Sequence, residues 1–502
     1  MSLKKNIIAN YLGQGWTALM GLAFVPLYIK YLGMEAYGLI GLFAVLQAWL
    51  TLLDMGMTPT LSREMSRFTG GAHTAESIRD LLRSLELVCL GVAVVVALGI
   101  WAASGWLASD WLRADKLPAA TVAQTFAIMG VVTALRFIEG LYRSAIIGLQ
   151  RQVLFNVINA VLATIRGLGV VGLLAFVSPT IGAFFLWQGL LSLLTVGIFV
   201  VVVYRTLPPI TRTPRFSRSA LEEIWRFAAG MMATTFLALL LTQVDKVILS
   251  RQLTLEAFGH YSLAGVVTGS LSMLVGPIAQ AYYPRMTELV TRRDEAGLIT
   301  VYHRSAQMVS VLVGSAAMML IMFGERLVAL WTGNQGLAHE IAPLVALLAL
   351  GTLLNSLMIM PYMLQLAYGW SSFAAKINSV AVAVLVPAIF WATTRYGAIG
   401  AAWVWVALNS GYVLFSMHFM HRRLIPNEKW RWYGRDVCLP LIAIIITASF
   451  FSKIEICGLS KLLELCWLAA VGVIVTMSAF LTASECRSFV TKQLRIWKSI
   501  HV

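Results

Sequence analysis

The stretch VVTALRFIEGLYRSAIIGLQRQVLFNVINAVLATIRGLGV, residues 131–170, contains two apolar segments joined by a short polar turn. Each segment is long enough to cross a bilayer as a helix. The first carries Arg136, Glu139 and Arg143, and the second carries Arg166 near its middle. An arginine at the centre of a membrane helix costs about 2.5 to 3.5 kcal/mol on insertion scales, so such residues usually face protein or a water-filled cavity. The stretch therefore predicts a helical hairpin beside a basic cavity.

Helical spacing supports this prediction. Arg136, Glu139 and Arg143 stand at i, i+3 and i+7, so their side chains share one stripe of a helix. Two alternatives stay open: Arg136 and Glu139 could pair as a structural bridge, and Arg143 could extend to the membrane interface. Arg166 has no acidic residue within a helical turn, which favours a place in the cavity.

Composition excludes an ordinary soluble protein. Of the 502 residues, 59% are hydrophobic and only 12% are charged, against about 25% charged in typical soluble domains. Apolar runs of about 20 residues recur along the whole chain and predict about fourteen spans of an all-α polytopic membrane protein. The five cysteines show no metal-ligand spacing, and no metal site or cofactor is expected.

The basic residues are distributed unevenly between alternate loops. With the N-terminus placed in the cytoplasm, 27 of the 38 Lys and Arg residues lie on the cytoplasmic side. This excess predicts that both termini are cytoplasmic. The net charge of +15 therefore reflects membrane topology and does not indicate nucleic-acid binding.

Two short motifs recur at nearly the same offset. EAYG at 35–38 returns as EAFG at 256–259, and IGA at 181–183 returns at 399–401. The offsets of 221 and 218 residues predict two six-helix units in the same orientation. Such lobes would enclose a cavity that opens to either side in turn.

This repeat sets the expected domain boundaries. They are an N-lobe at 1–204, a cytoplasmic linker at 205–226, a C-lobe at 227–420, and two accessory helices with a basic tail at 421–502.

Three further polar residues are candidates for the cavity. Gln14 lies on a polar stripe of the first span, although packing against a neighbouring helix is the commoner cause of such a stripe. Asp245 and Lys246 lie inside the seventh span. Adjacent helical residues point about 100° apart, so we expect each to need a partner elsewhere or a hydrated cavity.

Four segments carry a resemblance that extends over nearly the whole chain. The sequence resembles the polysaccharide-transport branch of the multidrug/oligosaccharidyl-lipid/polysaccharide (MOP) exporter superfamily, and most of all its Wzx-type O-antigen flippases. The segments are YIKYLGMEAYGLIGLFAVLQAWLTLLDMGMTPTLSREMSR (28–67), GLYRSAIIGLQRQVLFNVINAVLATIRGLG (140–169), QVDKVILSRQLTLEAFGHYSLA (243–264) and YGAIGAAWVW (396–405). The resemblance implies two MATE-like six-helix lobes around a cavity, plus two accessory helices.

The resemblance also implies a substrate and a location. The substrate would be an undecaprenyl-pyrophosphate-linked oligosaccharide, moved from the cytoplasmic to the periplasmic leaflet of the bacterial inner membrane. Polysaccharide polymerase and a chain-length regulator are the implied protein partners, and a proton or ion gradient is a possible energy source. On this view the substrate-binding candidates are Arg136, Arg143, Arg166, Asp245 and Lys246. The arginines suit the pyrophosphate, because one guanidinium can bind two phosphate oxygens at once. Asp245 and Lys246 would form part of the outer gate or contact the sugar.

Rival functions fit the sequence less well. A drug or cation antiporter of the same superfamily would be expected to bury carboxylates, whereas the deep charges here are mostly basic. A membrane glycosyltransferase or polymerase would need a long periplasmic loop, and the predicted outer loops are short. A structural scaffold would have no use for Arg166 in mid-span.

Overall fold

The computed structural model describes residues 3–54, 56–210, 212–454, 460–489 and 491, without the side chains of 3–9 and 218–234. Across these ranges the chain is a succession of α-helices. Long apolar runs account for this, since a helix satisfies every backbone hydrogen bond inside the bilayer. The all-α membrane fold predicted from the sequence is confirmed.

Contacts divide the chain into two compact units, Met1–Gly259 and His260–Val502. The helices of the first unit are α1 (Leu3–Ala23), α2 (Val25–Leu32), α3 (Met34–Leu53), α4 (Met57–Thr69), α5 (Ala75–Trp106), α6 (Ala119–Gly148), α7 (Gln152–Phe176), α8 (Ile181–Thr206) and α9 (Arg218–Gln252). Helix α10 (Leu255–Arg292) begins in the first unit and continues into the second.

The second unit is also built from α-helices. Its remaining helices are α11 (Glu295–Thr332), α12 (Gln335–Leu357), α13 (Ile359–Ala367), α14 (Ser371–Gly411), α15 (Met417–Leu424), α16 (Lys429–Arg431), α17 (Leu439–Ser452) and α18 (Lys461–Thr482). The lobe boundaries expected from the repeat stay a prediction.

Twelve helical segments of the described residues are long and apolar enough to span a membrane. The segment 371–424 contains two of the predicted spans, separated by a kink at Gly397, where φ is +57°. The predicted seventh span at 227–249 falls within α9, part of whose side chains lie outside the described residues.

Glycines of the repeated motif make equivalent contacts in the first unit. A Cβ on Gly38 would lie 2.3 Å from the carbonyl oxygen of Leu255, and a Cβ on Gly259 would lie 2.7 Å from that of Met34. Met34 and Leu255 are themselves 221 positions apart, and each directly precedes one copy of the motif. Each glycine therefore approaches the residue that precedes the other copy. Only glycine permits this close backbone approach.

The predicted hairpin is formed by α6 and α7. Helix α6 packs along α5 and α8, whereas α7 packs along α1 and α8. The two helices thus diverge after their short turn and contact each other only slightly. This divergence leaves room for a cavity between them.

The second unit contains a cluster of closely paired buried charges. His303 of α11 is completely buried, and its Nε2 lies 2.9 Å from Glu428 Oε2. Its Nδ1 contacts the buried carboxylate of Asp436. The amide of Gln307 donates to Asp436 Oδ1 at 2.9 Å. These contacts tie α11 to the segment before α17.

The short helix α4 is fixed against the end of α6. Leu61 and Met65 of α4 are completely buried. A Cβ on Gly148 would lie 2.4 Å from the carbonyl oxygen of Ser62 and 2.7 Å from Met65 Cβ. The Ser66 hydroxyl also donates to the Gly148 carbonyl oxygen at 3.1 Å. Any side chain at residue 148 would therefore push α4 away.

We expect Gly148→Ala to destabilise the protein by about 1–3 kcal/mol, the usual cost of overpacking. Gly140→Ala on the same helix is the matched control, because nothing lies within 4 Å of its added Cβ. Thermal unfolding of the detergent-solubilised protein, followed by tryptophan fluorescence, measures both. Equal unfolding temperatures would contradict the close contact between α4 and α6.

Candidate functional site: a basic cavity in the first unit

A cavity of about 440 Å³ lies among α1, α2, α3, α6, α7 and α8 of the first unit. Arg136 and Glu139 reach it from α6, and Arg166 reaches it from α7. Its uncharged polar and aromatic lining includes Gln47, Asn159, Gln188, Phe24, Tyr28, Phe43 and Phe184. The cavity thus combines two guanidinium groups, one carboxylate, amides and aromatic rings.

Arg136 is held from two sides. One terminal nitrogen donates to Gln188 Oε1 at 2.9 Å, and the guanidinium carbon lies 4.9 Å from the centre of the Phe43 ring. Its Nε is buried and has no hydrogen-bond acceptor among the described residues. A buried donor without a partner costs free energy, so the surroundings of Arg136 leave its guanidinium only partly satisfied.

Arg166 and Glu139 form a loose ion pair across the cavity. Their closest nitrogen and oxygen are 3.9 Å apart, and the side chains are 25% and 17% exposed. A charge-assisted hydrogen bond would be about 2.7–2.9 Å long. Within the described part of the chain, Arg166 Nε and Glu139 Oε2 are both buried without a hydrogen-bond partner. Glu139 therefore faces Arg166, and the alternative of an Arg136–Glu139 bridge is not what the structure shows.

A second cavity of about 570 Å³ lies beside the first and shares Gln47 and Arg136 with it. Arg143 and Asp54 carry its other charges. The exposed Arg143 lies with its guanidinium carbon 5.3 Å from the centre of the Phe155 ring on α7. Among the described lining residues, each cavity has two arginines, with Arg136 common to both, and one carboxylate, which gives each lining a net charge of +1.

Asp54 was not among the residues singled out from the sequence. It follows the last residue of α3, and its carboxylate accepts hydrogen bonds from the Thr58 backbone N–H at 3.1 and 3.2 Å. Burial raises the pKa of Asp54, and the hydrogen bonds from Thr58 partly oppose that rise. An acidic residue directly after an apolar span was the available signal.

Gln14 lies apart from both cavities. Its side chain is exposed on α1 and does not line either of them. Its stripe instead packs on α7, where Asn156 donates to Asn10 at 2.6 Å and Asn159 donates to Thr17 at 3.0 Å. Helix packing thus explains this polar stripe.

Asp245 and Lys246 also lie outside the two cavities. The expectation that they are poor partners for each other is wrong. Lys246 Nζ lies 3.4 Å from both carboxylate oxygens of Asp245, and it donates to the Thr242 carbonyl oxygen at 2.7 Å. The flexible four-carbon stem of lysine lets the ammonium fold back along its own helix.

We expect Glu139→Gln to bind inorganic pyrophosphate several-fold more tightly, because it removes the one negative charge of the 440 Å³ cavity. Isothermal titration of the detergent-solubilised protein measures the affinity. Glu325→Gln is the control, since Glu325 belongs to the second unit, its side chain is 41% exposed, and it pairs with His339 at 3.2 Å. Weaker binding by Glu139→Gln would mean that Glu139 orients Arg166 for the anion.

The raised pKa of Asp54 gives an expected pH dependence. Above that pKa the negative carboxylate of Asp54 cancels one positive charge of the second cavity. Below it the protonated carboxyl group is neutral and cancels none. Pyrophosphate binding should therefore strengthen as pH falls through the pKa of Asp54. The same titration of Asp54→Asn separates this effect from protonation of the probe. Identical pH profiles for the two proteins would contradict the expected role of Asp54.

Comparisons with known proteins agree with this architecture. A family model described as "Polysaccharide biosynthesis protein" matches residues 3–290. The "Putative O-antigen transporter" of Shigella flexneri is 18% identical over 407 residues, which cover 81% of this chain and 94% of that protein.

Solved structures show the same fold. The lipid II flippase MurJ in an inward closed conformation has a TM-score of 0.68 at 10% identity, covering 97% of this chain and 99% of that one. An inward-facing MATE family multidrug resistance transporter of the MOP superfamily has a TM-score of 0.62 at 14% identity, covering 81% and 95%. The family resemblance carried by the four sequence segments is confirmed. The chain belongs to the polysaccharide biosynthesis protein family and has the multi-pass fold of MOP-superfamily transporters.

Proposed function

We propose that the protein is a flippase for an undecaprenyl-pyrophosphate-linked oligosaccharide, which it moves from the cytoplasmic to the periplasmic leaflet of the bacterial inner membrane. The arginine cavity of the first unit is the observation that carries this proposal. The O-antigen transporter relative and the flippase fold support it.

The chemistry of the cavity suits a pyrophosphate. A pyrophosphate that leaves water must exchange its hydration for fixed donors, and a guanidinium offers two N–H groups in one plane. Arg136 and Arg166 each present a buried Nε without an acceptor in the described residues. Their attraction for an anion is stronger in a partly enclosed cavity than it would be at a fully exposed surface.

The rest of the cavity suits a sugar next to the pyrophosphate. Its volume of about 440 Å³ lies within the range of small-molecule sites, about 300–1,000 Å³. Tyr28 and Phe184 stand edge to face with ring centres 5.2 Å apart, beside the amide of Gln188. Aromatic faces cover the apolar side of a sugar ring, while amides and hydroxyls bind its hydroxyl groups. The polyprenyl tail can stay in lipid throughout.

A cation or drug antiporter is the main alternative. The carboxylate of Glu139 is the feature that could serve it, and MATE transporters share the fold. Two arginines nevertheless leave this cavity with a net positive charge, which repels cations. The charge balance therefore favours an anionic substrate.

We further propose that transport proceeds by alternating access and that both termini are cytoplasmic. A proton or ion gradient would supply the energy, and a polymerase and a chain-length regulator would cooperate with the protein. The excess of Lys and Arg in alternate loops supports the cytoplasmic termini.

We expect Arg166→Ala to reduce surface polysaccharide at least about ten-fold in a strain that lacks its own flippase, because the cavity loses one of the two guanidinium groups that can bind the pyrophosphate. Arg166→Lys should restore part of it, because the charge remains but the paired donors are lost. Quantified surface polysaccharide, normalised to protein abundance in the membrane, is the measurement.

The matched control is Arg395→Ala. Arg395 also lies over an aromatic ring, 5.0 Å from the centre of Trp391, but is exposed in the second unit. It should leave the polysaccharide level unchanged. Wild-type levels with Arg166→Ala, indistinguishable from Arg166→Lys, would count against the proposed function.

A further inference from the structure

Three arginines follow one another through the two cavities. Arg143 lines the larger cavity of about 570 Å³, Arg166 lines the smaller cavity of about 440 Å³, and Arg136 lines both. On α6, Arg143 and Arg136 are seven residues apart, which corresponds to nearly two helical turns and a rise of about 10 Å.

Different helices hold these guanidinium groups. Arg143 lies over Phe155 of α7, and Arg136 lies over Phe43 of α3. Arg166 faces Glu139. Arg143 does not line the smaller cavity and Arg166 does not line the larger one, so neither cavity brings these two arginines together. The charges therefore define two positions for one anion.

We propose that the pyrophosphate of the substrate binds at two successive positions within the first unit, first between Arg143 and Arg136 and then between Arg136 and Arg166. This inference rests on the proposed function. Arg136 contacts the anion at both positions, so the anion passes from one to the next without losing its contact with a guanidinium.

One carboxylate belongs to each position. Asp54 lies in the larger cavity and Glu139 in the smaller one. Each reduces the charge of its cavity from +2 to +1 and so weakens the hold on an anion. Passage through a membrane protein requires binding that is strong enough for entry and weak enough, or divided over enough sites, for release. Two moderately charged positions meet that requirement better than one cluster of three arginines.

Equilibrium binding of undecaprenyl pyrophosphate to the detergent-purified full chain tests the inference. The variants are Arg143→Ala, Arg166→Ala and the double variant, with Arg395→Ala as the matched control. For two alternative positions the association constants add, so each single variant keeps one position. If the two positions are equally strong, we expect each single variant to lose about two-fold in affinity, the double variant to lose about 100-fold or more, and Arg136→Ala to lose more than either single variant.

A single site gripped by all three arginines gives a different pattern. The loss in the double variant would then equal the product of the two single losses, and that result would overturn the two positions while leaving the proposed function intact. If the wild-type protein bound undecaprenyl pyrophosphate no better than undecaprenol, which lacks phosphate, the proposed function itself would fail. Where an alanine variant does not fold, Arg→Gln at the same residue replaces it in the same cycle.

Discussion

A guanidinium group placed within a membrane-spanning unit must have its charge solvated by something other than bulk water. Desolvation of an ion costs several kcal/mol even after the protein relaxes around it. Arg136 and Arg166 meet this requirement through one amide, one aromatic face and one distant carboxylate. Each still has a buried Nε without an acceptor in the described residues, and both side chains line a cavity of about 440 Å³.

The second unit shows how buried charges look when their role is to hold helices together. Both ring nitrogens of His303 contact carboxylates, and Gln307 occupies a further oxygen of Asp436. In the first unit the Arg166–Glu139 separation of 3.9 Å leaves each group without a direct hydrogen bond to the other. Close pairing fixes a structure, whereas this looser arrangement leaves the charges available to a third, mobile group.

Sequence periodicity predicted the helices, the hairpin and the shared face of Arg136 and Glu139, because spacing on one helix determines which side chains point the same way. It did not predict that Glu139 would face Arg166, since that pairing depends on how α6 and α7 diverge. Asp54 was missed for the same reason: only the packing of α4 brings the end of α3 to a cavity. The functional role of Asp245 and Lys246 stays a prediction, although their proximity shows that neighbours on a helix can interact when one has a long stem.

The glycine contact between α4 and α6 also bears on the other end of α4. Helix α4 is anchored near its far end at Gly148, while Thr58 near its start borders the larger cavity. The Thr58 backbone N–H donates to the carboxylate of Asp54, which lines that cavity. A larger side chain at residue 148 would therefore shift a carboxylate beside Arg136 and Arg143 without touching either arginine.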